Sequence, residues 1–386
     1  MSEADQTAAR EHVLFVVGVY APMIGGVESH VAHLATALRA AGHGVTIATI
    51  TGHPSDQDED GIRVVRYPRR FDVGGIVAFP PLGTARRLAR LAREHGVTAV
   101  STHTRLFPMS FVGWRVARRA GVPHLHTEHG SDHVRGVSRL VGIASRIVDA
   151  TMGRFILRHA DRVVGVSEAV VAFVRRLAGV GADVFYNAID TTTWRLGSSE
   201  SPPTAPRRAV FVGRMVPGKG WDDFTAAFAL VARDLGPDVV EGHLLGGGPD
   251  LEDCRRAVAV AGLSDQVTVH GAVPPVLVRA LLANAVLVNP TQLAEGFQTT
   301  LLEALAVGAE IVSYPVPGLD ALAADGAPVT VVPVGDLSGL AHAIRDAVRA
   351  PRPPMPSEQL DAWSWERRAG EYVQVIATAR THAAQP

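Results

Sequence analysis

The sequence is poor in cysteine and lysine. Its 386 residues include one cysteine, Cys254, and one lysine, Lys219, among 37 basic residues. A single cysteine excludes an intramolecular disulfide and is typical of a reducing compartment. No apolar run approaches the ~18 residues that a membrane-spanning helix needs. A formal net charge of −1 lacks the basic excess of nucleic-acid-binding proteins, so we expect no nucleic-acid partner.

The beginning of the chain, MSEADQTAAREH, has no apolar core of the kind found in signal peptides, so we expect a cytoplasmic protein. Further along, TARRLARLAREH places four arginines beside two leucines at helical spacing: Arg86, Arg87, Arg90, Arg93, Leu88 and Leu91. A basic amphipathic helix of this kind either lies on an anionic membrane or is an ordinary surface helix. Peripheral contact with the inner membrane face therefore stays an alternative.

Short β-branched segments alternate with amphipathic helical segments along the chain, which predicts parallel, doubly wound α/β sheets. A Ser-, Pro- and Thr-rich segment, residues 191–208, interrupts the alternation and is interpreted as a linker. We therefore predict two Rossmann-like domains over residues 10–190 and 209–364, with a last helix at 365–381 completing the first. Ligands bind at the carboxyl ends of such strands, so two facing domains would form an interdomain cleft.

The lysine lies in a loop, GRMVPGKG, directly after the predicted strand AVFVG. This position brings Arg214 and Lys219 to the carboxyl end of a strand, where a phosphate would bind. The spacing of a Walker loop is absent. A basic surface turn explains the same residues, and the loop alone does not separate the two interpretations.

A second segment, NPTQLAEGFQTTLLEALAVGAEIVSYP, combines a strand, a loop with Glu295 and a helix with Glu303. The two carboxylates could bracket an extended ligand such as a sugar diphosphate. The helix start near residues 298–301 would point free backbone amides at an anion between them. Spacing alone carries little weight, because Glu3/Glu11 and Glu358/Glu366 have the same separation.

Glycines at two further turns allow a close approach of ligand to backbone. Gly25 and Gly26 begin a helix after the first strand, although a plain βα turn explains them equally well. Gly248 belongs to GHLLGGGPDLED, which we interpret as a strand–turn–helix close to the ligand. Neither turn has the G-x-G-x-x-G dinucleotide pattern.

Histidines are crowded in HLHTEHGSDH, which contains His124, His126, His129 and His133. Imidazoles are zinc ligands, but alternation sends His124 and His126 to one strand face and leaves His129 to the loop. A zinc site, one functional histidine and simple polar packing are the three alternatives. Asp58 and Asp60 form a D-x-D pair, which we interpret as a solvated turn.

Six segments taken together resemble the family 4 retaining glycosyltransferases of GT-B fold: PMIGGVESHVAHLATALRAAGHGVTIAT, VGVSEAV, YNAIDTTTW, VFVGRMVPGKG, LLGGGPDLE and EGFQTTLLEALAVGAEIV. They occur in the family's order and span nearly the whole chain. The resemblance implies two Rossmann-like domains facing a cleft, a nucleotide-diphosphate sugar held mainly by the second domain, and the acceptor against the first.

The resemblance also implies roles for particular residues. Arg214 and Lys219 would hold the diphosphate, Glu303 the ribose, and Glu295 with the amides near Phe297 the sugar, while His129 would face the reacting sugar. The implied catalytic residues are His129, Glu295, Arg214 and Lys219. The implied donor-binding residues are Gly25, Gly26, Arg214, Lys219, Gly248, Glu295, Gly296, Phe297, Gln298, Thr299 and Glu303.

We therefore expect a retaining hexosyl- or N-acetylhexosaminyltransferase that needs no cofactor and no metal. We favour a UDP-sugar over GDP-mannose, with a small-molecule, glycan or lipid-linked acceptor. A sugar-nucleotide epimerase and a non-catalytic sugar-nucleotide-binding subunit are the alternatives. The sequence departs from the family pattern at Gln298, Glu310 and the stretch Gly318–Asp320, which bears on the donor sugar more than on the fold.

Overall fold

The structure is a computed structural model that describes residues 10–23, 25–73, 77–133, 139–195 and 206–383. The chain forms two compact units. The first unit comprises Met1–Asn187 and Trp365–Pro386, and the second comprises Ala188–Ser364. Secondary-structure elements are numbered in chain order across both units.

The first unit contains ten strands and seven α-helices among its described residues. Its strands are β1 His12–Val16, β2 Gly44–Thr51, β3 Ser55–Glu59, β4 Ile62–Pro68, β5 Arg70–Val73, β6 Val77–Phe79, β7 Ala99–His103, β8 His124–Glu128, β9 Arg162–Gly165 and β10 Asp183–Val184. Its helices are α1 Gly26–Ala40, α2 Thr84–Glu94, α3 Pro108–Ala120, α4 Arg139–Val148, α5 Arg154–His159, α6 Glu168–Ala178 and α15 Trp365–Ala383, with a π-helical turn at Asp149–Gly153.

The main sheet of the first unit has the order β10-β9-β8-β7-β1-β2-β4-β3. All neighbours in it are parallel except β3 and β4, which form an antiparallel pair. Strands β5 and β6 form a separate two-stranded sheet. Parallel strands need crossovers, and the intervening helices supply them, as the alternating sequence predicts.

Buried aliphatic side chains of β1, β2, β7, α2 and α3 form one core of the first unit, with Leu14, Val16 and Leu88 fully buried. The last helix, α15, packs with α1 in this unit. Its Tyr372 is fully buried, and the Tyr372 hydroxyl donates a hydrogen bond to Ser101 Oγ of β7 at 2.7 Å. A segment from the end of the chain thus completes the first unit's core.

The second unit contains six strands and eight α-helices among its described residues. Its strands are β11 Arg207–Val212, β12 Val240–Leu245, β13 Val267–Gly271, β14 Val286–Asn289, β15 Glu310–Ser313 and β16 Val329–Val331. Its helices are α7 Thr191–Trp194, α8 Trp221–Leu235, α9 Leu251–Val260, α10 Pro275–Leu282, α11 Thr299–Ala306, α12 Leu319–Ala324, α13 Leu337–Arg349 and α14 Ser357–Asp361.

The six strands of the second unit form one parallel sheet in the order β13-β12-β11-β14-β15-β16. The chain order reverses at β11, which lies between β12 and β14. Such a switch point opens a crevice at the carboxyl ends of the two strands, and ligands of open α/β sheets bind there. The loops after β11 and β14 therefore border this crevice.

One local interpretation of the sequence needs correction. The predicted solvated turn around Asp58 is largely strand β3, which pairs with β4 through the ion pairs Arg63–Asp56 and Arg66–Glu59, so that only Asp60 and Gly61 form the turn. Charged cross-strand pairs stabilise a strand that has no apolar face of its own.

The predicted linker 191–208 is regular at both ends, since α7 occupies its start and β11 its end. The middle of this segment, residues 196–205, lies outside the described residues. Asp190 caps α7 by accepting hydrogen bonds from the backbone amides of Thr192 and Thr193. This N-cap stabilises the short helix at the start of the segment.

The basic helix α2 turns its apolar side inward. Leu88, Ala89 and Ala92 are buried, and they belong to the first unit's core. This apolar side is consequently not a membrane-facing surface, and the ordinary surface-helix interpretation applies. In the described part of the chain, every helix is too short or too polar to cross a bilayer.

Candidate functional site

The lysine lies in the loop between β11 and α8, where it pairs with a carboxylate. Lys219 Nζ lies 2.7 Å from Glu295 Oε1, and the two side chains are 14% and 25% exposed. Gly220 follows with φ +97°, and a Cβ there would lie 2.2 Å from the Pro290 carbonyl oxygen. Only glycine allows the β11 loop to approach the β14 loop this closely. The close approach brings Lys219 within reach of Glu295.

Arg214, in the same loop, differs from Lys219 in its surroundings. Its side chain is exposed and has no hydrogen bond or ion pair to the described residues. One cation of the predicted pair is therefore held in place, and the other is free to reorient toward a ligand. The order of the sequence does not reveal this difference.

The glycine-rich turn after β12 packs directly against the Arg214 loop. A Cβ on Gly246 would lie 1.8 Å from the Gly213 carbonyl oxygen, and one on Gly248 would lie 2.3 Å from that of Met215. The Met215 amide donates to the Gly247 carbonyl at 2.9 Å. Gly248 therefore supports the backbone of the cationic loop, in addition to any contact with a ligand.

The loop after β14 leads from Glu295 into helix α11. Gln298 is the N-cap residue, and its side chain accepts no hydrogen bond from the amides of the first turn, which begins at Thr299. Uncapped amides and the helix dipole favour an anion at this end. Phe297 is buried and stacks on Trp363 with ring centroids 5.6 Å apart. Its ring also lies so close to Gly318 that a Cβ at that position would clash with it. Packing of Phe297 thus fixes the backbone of Gly296 and Gln298.

The Gln298 side chain is anchored at one end only. Its Oε1 accepts a hydrogen bond from Asn289 Nδ2 at 2.8 Å, and Asn289 Nδ2 also donates to Ser313 Oγ at 3.1 Å. The Gln298 Nε2 atom is buried without a hydrogen-bond partner among the described residues. A buried amide donor is costly to leave unsatisfied, so this atom is suited to a ligand's hydroxyl or carbonyl.

Glu303 lies on α11, and its side chain is largely buried. Burial raises its pKa to about 7, although a hydrogen bond with Thr299 acts in the opposite direction. A carboxyl group with this pKa exists in both protonation states near neutral pH. It can accept hydrogen bonds from hydroxyl groups as a carboxylate, and its unusual environment marks it as a candidate for function.

In the first unit, His129 follows β8 and belongs to a cluster of three histidines. His129 Nε2 and His103 Nδ1 lie 3.0 Å apart, and the His30 ring packs edge-on against His129 with centroids 4.9 Å apart. One ring nitrogen from each of these three residues lies within 4.8 Å of the others. Burial lowers the pKa of His30 to about 4 and those of His103 and His129 well below the usual value. The rings are therefore neutral at physiological pH.

A hydrogen-bonded chain connects Tyr372 and Ser101 to the rings of His103 and His129, and one arrangement of protons satisfies every contact in it. With Tyr372 donating to Ser101 Oγ, the Ser101 hydroxyl can donate to His103 Nε2, which lies 3.1 Å away. The His103 proton then lies on Nδ1 and is donated to His129 Nε2. The neutral His129 ring consequently has its own proton on Nδ1, which makes that atom a donor.

The loop that carries His129 is held by a buried carboxylate. Glu128 Oε1 accepts hydrogen bonds from the amides of His129 at 3.0 Å and Gly130 at 2.9 Å, and from Arg105 Nη1 at 2.9 Å. Burial alone would raise the pKa of Glu128, but Arg105, His126 and Gly130 lower it overall. Arg105 also donates from Nε to Asp149 Oδ1 at 2.7 Å on the π-helical turn.

Of the four histidines in HLHTEHGSDH, His124 and His126 lie together, whereas His129 and His133 each have different partners. His124 Nε2 and His126 Nδ1 both bond Thr102 Oγ1, at 2.8 and 2.9 Å, on one face of the strand. His133 bonds Asp149 instead. His30 and His103, which the sequence analysis did not single out, join His129. Their position at a helix start and at a strand end was the available signal.

Gly25 and Gly26 begin helix α1, as predicted. The backbone of Gly25 is extended, and a Cβ on Gly25 would lie only 2.4 Å from Glu28 Oε2. A Cβ on Gly26 would meet no atom within 4 Å among the described residues. The open space at Gly26 allows a ligand to approach, while Glu28 already places a negative charge at the helix start.

Comparisons with known proteins support the same two-part division. Residues 24–193 match "Glycosyltransferase Family 4", and residues 206–350 match "Glycosyl transferases group 1". A glycogen synthase from Mycobacterium tuberculosis is 26% identical to this chain, over 97% of this chain and 96% of the synthase. A 2-deoxystreptamine N-acetyl-D-glucosaminyltransferase from Streptomyces fradiae is 28% identical over 84% of this chain and 83% of its own length.

A solved structure shares the fold. Sucrose-phosphate synthase from Thermosynechococcus elongatus aligns with a TM-score of 0.71 at 21% identity, covering 96% of this chain and 100% of that one. The protein is therefore a glycosyltransferase with two Rossmann-like domains of the GT-B fold. It belongs to the family 4 glycosyltransferases.

Proposed function

We propose that the protein is a retaining transferase that moves a hexosyl or N-acetylhexosaminyl unit from a nucleotide-diphosphate sugar to a hydroxyl group. The observation that carries the proposal is the ion pair between Lys219 and Glu295, at the carboxyl ends of β11 and β14, on the loop leading into the uncapped helix α11. A glycan, a lipid-linked sugar or a small molecule, bound by the first unit, is the proposed acceptor.

The diphosphate is assigned to Lys219 and Arg214. An ammonium group has three donors, so Lys219 can keep its bond to Glu295 and still donate two hydrogen bonds to phosphate oxygens. The exposed Arg214 guanidinium can close on the same group in a bidentate manner. Positive charge at this place stabilises the departing diphosphate as the glycosidic bond breaks.

The sugar is assigned to the loop between Glu295 and Gln298. Glu295 Oε1 is occupied by Lys219, and its second carboxylate oxygen can accept hydrogen bonds from sugar hydroxyls. The buried Nε2 of Gln298 supplies a donor at a position where this sequence departs from the family pattern. We assign Gln298 to the recognition of one hydroxyl or N-acetyl oxygen of the donor sugar, which would favour donors that satisfy this amide.

The ribose is assigned to Glu303, whose carboxylate can accept bonds from two hydroxyl groups. We propose a UDP-sugar as the first donor to test and GDP-mannose as the second. The Streptomyces fradiae relative transfers N-acetyl-D-glucosamine according to its name, which favours including N-acetylhexosamines in the donor panel.

Retention is proposed to occur by front-face attack, with the departing phosphate as the base. Positioning and charge stabilisation then supply the catalysis, and no covalent protein intermediate is required. The neutral His129 ring is assigned to the reacting sugar as a hydrogen-bond donor through Nδ1. We further propose that transfer is independent of metal, because Arg214 and Lys219 supply the positive charge and the facing nitrogens of His103 and His129 are bonded to each other.

The experiment that tests the donor site is calorimetric titration of the protein with UDP and with GDP. We expect one nucleotide to bind and Lys219→Ala to weaken it by roughly tenfold to a hundredfold, as loss of a charged hydrogen bond predicts. Arg233→Ala is the matched control, since Arg233 is exposed on α8 and has no bonded partner among the described residues. Equal affinity of the wild type and Lys219→Ala would refute the assignment.

Turnover separates the enzyme from its alternatives. Incubation of a UDP-sugar panel with hydroxyl acceptors should give a glycoside whose anomeric configuration, read by NMR, matches that of the donor. Added EDTA should leave the rate unchanged. An inverted product would refute retention, and loss of activity with EDTA would refute metal independence. Release of a 2-epimer without acceptor would identify an epimerase, while nucleotide binding without any product would indicate a non-catalytic subunit.

A further inference from the structure

A basic depression lies on the first unit, formed by the residues around the π-helical turn and helix α6. It encloses about 400 Å³, and three arginines line it from three helices: Arg146 of α4, Arg154 of α5 and Arg176 of α6. His133, from the loop that follows His129, also lines it. The depression belongs wholly to the first unit and shares no residue with the Lys219 loop.

The arginines of this depression have few partners. Arg146 and Arg154 are exposed and have no hydrogen bond or ion pair to any described residue. Arg176 lies over the Phe173 ring, 5.7 Å from its centroid. Three guanidinium groups in one depression repel each other unless an anion lies between them. Among the described residues, no carboxylate is therefore paired with Arg146 or Arg154.

The nearby carboxylates do not supply that charge. Among the described lining residues, Asp132 is the one acid, and it already has a bonded partner. Asp149 is fully buried and pairs with Arg105, whose Nε lies 2.7 Å from Asp149 Oδ1, while His133 Nδ1 lies 2.5 Å from Asp149 Oδ2. Among the described lining residues, the three arginines therefore outnumber the acidic side chains.

The floor of the depression favours a tightly held anion. Phe173 and Leu177 line it beside Ala150, and Arg105 lies against the Phe173 ring at 4.5 Å. Apolar side chains lower the local dielectric constant and strengthen attraction between an arginine and an anion. Arginine forks match the oxygen geometry of phosphate and form bidentate hydrogen bonds with it.

We propose that this depression is a phosphate-binding site for a phosphate monoester or diester group, distinct from the diphosphate site assigned to Lys219. Arg146, Arg154 and Arg176 are the side chains that would hold the phosphate oxygens. Two sources carry this chemistry: a soluble phosphorylated compound and the headgroup of an anionic phospholipid. Ile143 and Ile147 of α4, which are 58% and 59% exposed, lie one turn apart next to Arg146 and would contact acyl chains in the second case.

Direct binding of inorganic phosphate tests the site without any transferase activity. Calorimetric titration is carried out on the full chain carrying Lys219→Ala, which weakens the other proposed phosphate site. We expect the double change Arg154→Gln and Arg176→Gln to weaken phosphate binding by about tenfold or more. Arg175→Gln is the matched control, because Arg175 is the exposed neighbour of Arg176 on α6 and does not line the depression.

The outcomes are distinct. Loss of binding in the double variant with near-normal binding in Arg175→Gln supports the site. An equal loss in Arg175→Gln would mean that general surface charge attracts phosphate, and it would overturn the proposal. Absence of phosphate binding in the parent protein, together with absence of binding to the vesicles described next, would also overturn it. Failure of the nucleotide titrations would leave this result unaffected.

Vesicle co-sedimentation identifies the source of the phosphate. Vesicles of phosphatidylcholine alone are compared with vesicles that also contain phosphatidylglycerol. A lipid headgroup predicts sedimentation with the anionic vesicles only, lost in Arg154→Gln/Arg176→Gln and also in Ile143→Ser/Ile147→Ser. A soluble phosphate compound predicts no sedimentation and unchanged phosphate binding in the isoleucine variant. Sedimentation that survives the arginine changes would contradict the assignment of the headgroup to this depression.

Discussion

At the scale of single residues, the environment of a side chain decides what that side chain can do. Lys219 and Arg214 are five positions apart in one loop, yet one is paired with Glu295 and the other is free among the described residues. Glu303 is an ordinary glutamate in the sequence, but burial on α11 raises its pKa to about 7. Protonation of Glu303 is therefore linked to folding.

This linkage predicts how stability changes with pH. The folded state binds the Glu303 proton more tightly than the unfolded state, so Glu303 contributes an increasing penalty as pH rises from about 5 to about 7. Glu303→Gln removes the ionisation. At pH 8 we expect the variant to be more stable than the wild type by about 1 kcal/mol, which corresponds to a rise of a few degrees in Tm. At pH 5 we expect no such gain.

Thermal unfolding at both pH values measures the effect. Glu358→Gln provides a control, since Glu358 is exposed on α14 of the same unit. A gain in Tm for Glu303→Gln that is equal at pH 5 and pH 8 would show that ionisation of Glu303 is not the cause.

At the scale of elements, the loop after β8 depends on buried charges that join three parts of the first unit. Arg105 follows β7, Glu128 ends β8, and Asp149 begins the π-helical turn. The Arg105 and Glu128 side chains are 1% and 0% exposed, and that of Asp149 is 0% exposed. An interrupted helix at this place is typical of a functional site, and here the π-helical turn presents Asp149 to both Arg105 and His133.

Removal of Arg105 should therefore be costly. Arg105→Met leaves two buried carboxylates without their cation, and we expect a loss of about 3–5 kcal/mol in the free energy of unfolding. Urea denaturation of this variant is compared with that of Arg115→Met, a change at an exposed position of α3. A loss below about 1 kcal/mol for Arg105→Met, the range of an ordinary surface ion pair, would show that the network is not needed for stability.

At the scale of the whole molecule, each unit has its own sheet and core, and the first unit is built from both ends of the chain. Helix α15 contributes Tyr372, Ile376 and Ala379 to the first unit, and all three are fully buried. Arg380 of α15 pairs with the buried Glu11, which precedes β1. The end of the sequence is therefore part of the same folding unit as its beginning.

Truncation tests this dependence. Removal of residues 365–386 exposes the apolar surface that α15 covers, and each large buried side chain it removes costs about 2–5 kcal/mol. We expect calorimetry to show loss of the unfolding transition of the first unit while that of the second unit remains. Removal of residues 384–386 alone is the control and should leave both transitions in place. An unchanged thermogram after the longer truncation would refute the dependence.

The alternation of strands and helices could be predicted from the sequence, because hydrophobic periodicity is a local property. It also identified the loops that carry Arg214, Lys219, Glu295 and Glu303, since strand ends and glycines are visible in the order of residues. Sequence order failed for β3, whose polar residues are held by partners on β4.

Tertiary structure alone decided which side chains meet. The Lys219–Glu295 pair joins residues 76 positions apart, and the contact between His103 and His129 joins residues 26 positions apart. Three arginines from α4, α5 and α6 surround one depression although nothing in their spacing indicates it. Proximity, burial and the resulting pKa values depend on how elements pack, and packing depends on many distant residues at once.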